Sequence, residues 1–304
     1  MLARARAAVV AQGNLTSFLF VLPALVIFAV FYVYPFLNMV FLSFHEWRGI
    51  GPLHFIGLQN YQEIVGDRLW WNSMAHAGYI TLIALTFQNA LAFGLALACD
   101  REIRMKRFYR LVFFIPPVLS EVVVGLMGNW ILNPGLQNGQ HIGLLNHLLY
   151  SSGFPQLVNN WLGDPRTALT TIAIVHSWKG FGWGFIMLLV GLQTIDKQLY
   201  EAARVDGASA WKAFVHITVP MMLPVILVVM ILTILGSMQV FVLILSMVNE
   251  GLVNHTDVPA TYILTSMIGN GRFGYACAQA VIFGVILVGV SFIMKRMSDW
   301  VKRI

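Results

Sequence analysis

The sequence predicts an all-α integral membrane protein with six transmembrane helices. Three observations carry that prediction. Of the 304 residues, 58% are hydrophobic and only 11% charged, whereas soluble domains carry about 25% charged residues. Six apolar runs, each long enough to cross ~30 Å of hydrocarbon, alternate with polar segments. Lys and Arg cluster in every second one of those segments.

Taken in order, residues 1–17 form a short polar segment with Arg4 and Arg6. Span 1, Phe18–Leu42, is too long for a signal-peptide core and lacks a clear cleavage site, so it is read as retained. Pro35 near its end predicts a kink. Residues 43–73 are of mixed polarity, and Trp47, Trp70 and Trp71 fit an interfacial belt. Span 2 covers Met74–Ala98 and precedes a basic loop with Arg101, Arg104, Lys106, Arg107 and Arg110. Span 3, Leu111–Leu132, holds Pro116-Pro117 in its first turns. A polar loop, 133–166, leads to span 4 at Thr167–Leu192. Span 5 is Met221–Val248; a loop with Asn249, Glu250, Asn254 and Asp257 and a semi-polar stretch, 259–275, precede span 6 at Cys277–Met294. The organisation expected is a segment 1–17, a membrane domain 18–296 and a tail 297–304.

Fourteen of the 19 Lys and Arg residues fall in the N-terminus, the 99–110 loop, the 196–220 loop and the C-terminus, and four in the alternate loops. Lys179 lies within a span. The positive-inside rule therefore puts both termini and residues 196–220 in the cytoplasm. The net charge of +6 is topological and implies no nucleic-acid partner. Cys99 and Cys277 fall at opposite faces in this topology, which excludes a disulfide between them.

The 196–220 loop has more local order than a plain connection. Asp196 is an N-cap for Lys197–Val205, and Asp206-Gly207 ends that helix at a residue that tolerates positive φ. Ser209 caps a second short helix whose Trp211, Phe214 and Val215 share one face, and Pro220 suits the first turn of the next helix. An apolar knob with charged shoulders, outside the bilayer, reads as a docking surface; the bland reading is a helix lying on the membrane.

Glu201-Ala202-Ala203, Asp206-Gly207-Ala208, Ile217 and Pro220 together resemble the EAA loop of ABC-importer membrane subunits, with Val219 where Leu is usual. Phe55-Ile56-Gly57-Leu58-Gln59-Asn60-Tyr61, Ile115-Pro116-Pro117-Val118-Leu119-Ser120, Trp130-Ile131-Leu132-Asn133-Pro134, Trp178-Lys179 and Gly191-Leu192-Gln193 are similar to the maltose and glycerol-phosphate permease branch. The usual Gly-Gly-Pro after span 5 is replaced by Asn249-Glu250-Gly251. The resemblance implies a type I ABC-importer permease fold and a sugar importer working by alternating access. It implies a heterodimer with a second permease subunit, two ATP-binding cassette subunits that carry ATP and Mg, and an extracytoplasmic sugar-binding protein. The expected place is the cytoplasmic (inner) membrane of a bacterium or archaeon. Glu201, Ala202, Ala203, Asp206, Gly207, Ala208 and Phe214 would couple to the ATPase.

Polar groups inside spans mark functional candidates, because hydrocarbon offers them no partner. His176, Lys179, Gly180 and Trp183 form one stripe of span 4; Thr233, Gly236, Ser237 and Val240, with Gln239 beside them, form another on span 5. These supply the donors, acceptors and aromatic face that a sugar path needs, although helix packing would use the same residue types. Glu121 and Lys179 lie at similar depth and can pair; Gln88, Asn89 and Asn129 read as helix cross-links.

No enzyme is expected. The chain lacks a Gly-x-x-x-x-Gly-Lys-Ser/Thr loop, so no cofactor is assigned to it. His141 and His147 lack metal-ligand spacing. A secondary transporter is the main rival, and would need inverted repeats or an intramembrane carboxylate relay; a non-transporting scaffold would need no EAA loop.

Overall fold

The computed structural model describes residues 18–137, 140–248 and 253–301. The 1–17 segment and the Asn249-Glu250-Gly251 departure lie outside the described residues. Among the described residues, five helices are long and apolar enough to cross a membrane, and a sixth candidate is a bent pair. The chain divides into two compact units.

The first unit holds the described residues through Gly66 together with Ile263–Ile282. Helix α1, Phe18–Leu42, has none of its apolar window buried within this chain. Pro35 is accommodated by a wide turn at Ala29–Val33, just before it. A small hairpin follows, β1 (His45–Glu46) against β2 (His54–Phe55), then α2 (Gln59–Gly66). Asn60 is buried and donates to the carbonyls of Ser43 and His45, at 2.9 and 3.1 Å. The Ser43 and Tyr61 hydroxyls meet at 2.6 Å. These bonds close the segment on itself. Gly274 packs directly on the His45 carbonyl, where a side chain has no room. Arg272 donates to both carboxylate oxygens of Glu63, each at 2.6 Å.

The second unit holds Asp67–Tyr262 and the described residues from Phe283 on. Helix α3, Arg68–Asp100, begins six residues before the expected start of span 2, because Asp67 caps it by accepting from the N–H groups of Leu69 and Trp70. Trp70 therefore sits inside the first turn, fully buried, and is not part of an interfacial belt. A wide π-type turn interrupts α3 at Ala84–Gln88.

Span 3 is not one helix. Helix α4, Lys106–Val118, ends at Pro116 and Pro117, and α5, Glu121–Ile131, leaves at 95°. Two successive prolines remove two N–H donors from the last turns of α4, and Ser120 is extended (ψ 142°). The prolines thus close the first half-helix, and Glu121 opens the second; it is not in the middle of a span. Small elements cover the 133–166 loop: β3 (Leu136–Gln137) pairs with β4 (Gln140–His141), and α6 spans Leu144–Ser151. Buried Asn146 ties it together, donating to the Asn159 carbonyl and accepting from the Trp161 indole at 2.7 Å.

Helix α7, Ala168–Gln193, is the central post and packs against α3, α4 and the later α9. Its Ile172 and Ala173 join one apolar cluster with Ile80, Val124 and Leu243; its Phe181, Phe185 and Leu188 join another with Ala92, Met222 and Val229. Helix α8 is Lys197–Val205. Ala210–Met238 is one continuous helix, α9, with a wide turn at Phe214–Thr218 just before Pro220. Span 5 then breaks at Gln239–Phe241 and resumes as α10, Val242–Met247. Half-helices α5 and α10 pack on each other, with Gly125 against Ser246 and the Asn129 side-chain amide donating to the Met247 carbonyl at 3.1 Å.

Short α11 (Val253–Thr256) and α12 (Pro259–Leu264) lead to α13, Phe273–Val301. Helix α13 starts before Cys277 and continues past Arg296. Both cysteines are free thiols.

Candidate functional site

The loop between α7 and α9 is built by four local devices. Asp196 caps α8 by accepting from the Gln198 N–H at 2.9 Å. The α8 C-terminus closes as a Schellman motif: Ala208 N–H bonds the Ala203 carbonyl and Gly207 N–H that of Arg204. This requires a left-handed residue at position 207, and Gly207 has φ +76°. A side chain there would cost about 1–2 kcal/mol. The Glu-Ala-Ala and Asp-Gly-Ala triplets are thus the two sides of one helix stop. Ser209 then caps α9 through Lys212 N–H, and the Tyr200 hydroxyl meets Thr218 Oγ1 at 2.9 Å, tying α8 to α9.

Glu201, Ala202, Asp206 and Gly207 are exposed, while Ala203 and Ala208 are half-buried. The apolar knob splits. Trp211 is 71% exposed, but Phe214 is half-buried between Trp211 and Phe93, with ring centroids 5.6 and 6.1 Å away. Phe214 anchors the loop to α3 within this chain. Trp211 and Val205 (88% exposed) project outward instead. Val205 was missed because its helix face depends on where α8 stops. A groove of about 960 Å³ runs between this loop and the ends of α3 and α7, lined by Asp100, Lys197, Glu201, Arg204, Trp211 and Phe214 among others.

Within the spans, the α7 stripe does not face a single open volume. His176 Nε2 lies 3.1 Å from Ser237 Oγ on α9. Lys179 Nζ lies 3.6 Å from Glu121 Oε1 at the start of α5. The expected pair therefore forms, and it keeps Lys179, in the middle of α7, from being an unpaired charge, which inside a span costs at least ~2.5–3.5 kcal/mol. Gly180 is pressed on Gln88 of α3, whose Oε1 would be 2.6 Å from an added Cβ. In this chain the space beside it is held by the Gln88 amide. Trp183 meets Phe114 edge to face at 5.4 Å and is 59% exposed.

The α9 stripe also divides. Thr233 donates to Asn89 Oδ1 at 3.0 Å and is buried, as are Ser237 and Val240. Gly236 and Gln239 lie on the exposed side; an added Cβ at Gly236 would meet nothing within 4 Å, and Gln239 donates to the Leu235 carbonyl. Of the second stripe, only Gly236 and Gln239 present surface. Gln88, first read as a cross-link, is 7% exposed at the π-type turn of α3, and its Oε1 lacks a hydrogen bond among the described residues. Turns of this kind cluster at functional sites.

Comparison with known proteins fits this geometry. The family model described as "Binding-protein-dependent transport system inner membrane component" matches residues 90–303. The probable ABC transporter permease protein YurN of Bacillus subtilis is 33% identical over 290 residues, covering 94% of this chain and 96% of YurN. The sulfoquinovosyl glycerol transport system permease protein SmoG of Agrobacterium fabrum is 30% identical, over 93% of this chain and 90% of SmoG. A chain of the bacterial ABC transporter involved in import of the acidic polysaccharide alginate superposes with a TM-score of 0.81 at 22% identity, over 97% of this chain and 98% of the other. The capped double-helix loop, the spans and these likenesses agree: this chain has the type I permease fold and belongs to the family of binding-protein-dependent transport system inner membrane components, the permease subunits of ABC transporters.

Proposed function

We propose that this chain is the permease subunit of an ATP-driven importer of oligosaccharides or related carbohydrates, working by alternating access across the cytoplasmic membrane of a bacterium or archaeon. A second permease subunit completes the pathway, and an extracytoplasmic sugar-binding protein delivers the substrate. Two ATP-binding cassette subunits bind ATP and Mg and do the hydrolysis. The carbohydrate assignment is supported by the named cargo of SmoG and of the alginate transporter.

One observation carries the coupling role: the α8–α9 loop is a stiff, capped turn that holds Glu201, Val205 and Trp211 outward while Phe214 and Tyr200 hold it to the membrane helices. A stiff loop transmits displacement, where a mobile one would absorb it. In this reading ATP binding closes the ATPase dimer, the clefts draw the loops together, and α9 carries the movement to the Gly236–Gln239 surface and the Glu121–Lys179 pair.

The test is reconstitution with the partner subunits. Gly207→Pro and Glu201→Lys should each uncouple transport or release the ATPase subunits. Normal transport rates in both would end the coupling reading.

A further inference from the structure

The turn between α3 and α4 concentrates positive charge. Residues 99–110 hold Arg101, Arg104, Lys106, Arg107 and Arg110 against only Asp100 and Glu102. Lys106 is used internally: it donates to the Asp100 carbonyl at 3.1 Å and lies 4.0 Å from Glu102, tying the start of α4 to the end of α3. The arginines are not. None of the four is in an ion pair among the described residues, and the buried Arg110 Nε has no hydrogen-bond partner there. Arg101 lines the groove beside the α8–α9 loop, whereas Arg104, Arg107 and Arg110 do not. Helix α3 is long and apolar enough to cross a membrane, and α4 is half of a bent pair that is, so their turn lies at the bilayer surface. Helix α4 packs on α7 through Phe113 and Pro117. On its opposite side Phe108, Leu111, Ile115 and Val118 form an exposed apolar stripe, and Arg107 borders the first turn of that stripe.

We propose that Arg107 and Arg110, three apart on one face of α4, bind the phosphate of an anionic phospholipid, with Arg104 adding to the field and the acyl chain lying along Leu111, Ile115 and Val118. A guanidinium fork matches two phosphate oxygens at once. The Arg110 Nε donor is already out of water, so an acceptor there removes a desolvation cost. Phe108 and Tyr109 are both exposed and suit the depth between headgroup and hydrocarbon. Lipid is what an exposed apolar stripe meets in a bilayer, and the unpaired arginines at its end select an anionic headgroup. A purely topological role would need cations on that side of the membrane but no particular arrangement of them.

The site is independent of the cargo. The assembled transporter in detergent is equilibrated with mixed micelles holding equal amounts of phosphatidylglycerol and phosphatidylcholine of the same acyl chains, then repurified, and its retained lipid is counted by mass spectrometry. The wild type should retain phosphatidylglycerol over phosphatidylcholine by about tenfold or more, since each cation near an anionic headgroup is worth about fivefold in affinity. Arg107→Gln with Arg110→Gln should cut that ratio by roughly fivefold or more. Arg107→Lys with Arg110→Lys keeps the charge, and with it the topology, but loses the fork; it should still cut the ratio by about twofold or more. Lys197→Gln with Lys212→Gln, the same loss of charge on the α8–α9 loop, should leave it unchanged. A wild type without preference, a ratio that the two arginine pairs do not move, or an equal loss in the lysine pair overturns the site. Release of the ATPase subunits by Arg107→Gln with Arg110→Gln at an unchanged lipid ratio assigns the patch to a protein partner and overturns it as well.

Discussion

Gly182 on α7 touches the carbonyl oxygen of Phe113 on α4; a Cβ at position 182 would lie 2.6 Å from that oxygen and 2.7 Å from the Pro117 ring. The contact follows from sequence. In a regular helix the Phe113 carbonyl would accept from residue 117, but proline has no N–H to give. The carbonyl is left open at the site of closest approach, and only glycine fits against it. Gly182→Ala should therefore destabilise the assembled protein by about 1–3 kcal/mol, the usual range for overpacking. Thermal unfolding in detergent measures this; an unchanged midpoint would mean that α4 and α7 are looser than the contact implies.

Gly236 and Gly180 should respond in opposite ways. Gly236 faces open space, so Gly236→Trp should block uptake of labelled sugar while assembly and basal ATPase activity survive. Gly180 is pressed on the side-chain amide of Gln88, which can shift, so Gly180→Ala should change stability little, while the much larger Gly180→Trp should lower it. Free transport by Gly236→Trp would remove that face of α9 from the path.

Single cysteines at Ser209 and Ser151, both exposed, should react with an impermeant thiol reagent from opposite sides of the membrane. The charge distribution demands it. Labelling from the same side would refute the topology and the coupling role together.

Burial pushes the Asp257 carboxyl up, against the opposing pull of the Thr261 hydroxyl and His76. Its Oδ2 has no hydrogen-bond partner among the described residues. A raised native pKa means that the charged form is penalised in the fold and not in the unfolded chain. The penalty is present above the native pKa and fades as pH falls towards the unfolded value of 3.8. Asp257→Asn should thus raise the melting temperature at pH 8 and change it little at pH 4. An equal shift at both would point to packing instead of charge.

The spans were legible because hydropathy integrates over twenty residues. The breaks within spans 3 and 5 were not, for the same reason. Leu119-Ser120 and Gln239–Phe241 are short and flanked by apolar residues, and such irregular backbone survives at membrane depth when it is buried in protein. The α8–α9 turn was readable because caps and helix stops are local chemistry: Asp196, Gly207 and Ser209 act where sequence places them. Which neighbour each residue of the α7 stripe would meet was not, because a helix that is apolar nearly all round gives no sign of which face meets which helix. Trp70 illustrates this: its burial depends on Asp67 starting the helix early. Of that stripe, only the Lys179 contact with Glu121 could be foreseen, since two opposite charges in an apolar setting have few other partners; elsewhere Asn89 and Asn129 do cross-link helices as read.

The unbroken helix Ala210–Met238 has a mechanical consequence. Its 29 residues make a rod about 43 Å long. With a pivot near the wide turn at Phe214–Thr218, a tilt of about 5° imposed at Trp211 sweeps the far end, about 30–35 Å away, through roughly 3 Å. A small tilt at the loop is thus amplified into a displacement on the order of a hydrogen-bond length beside Gly236.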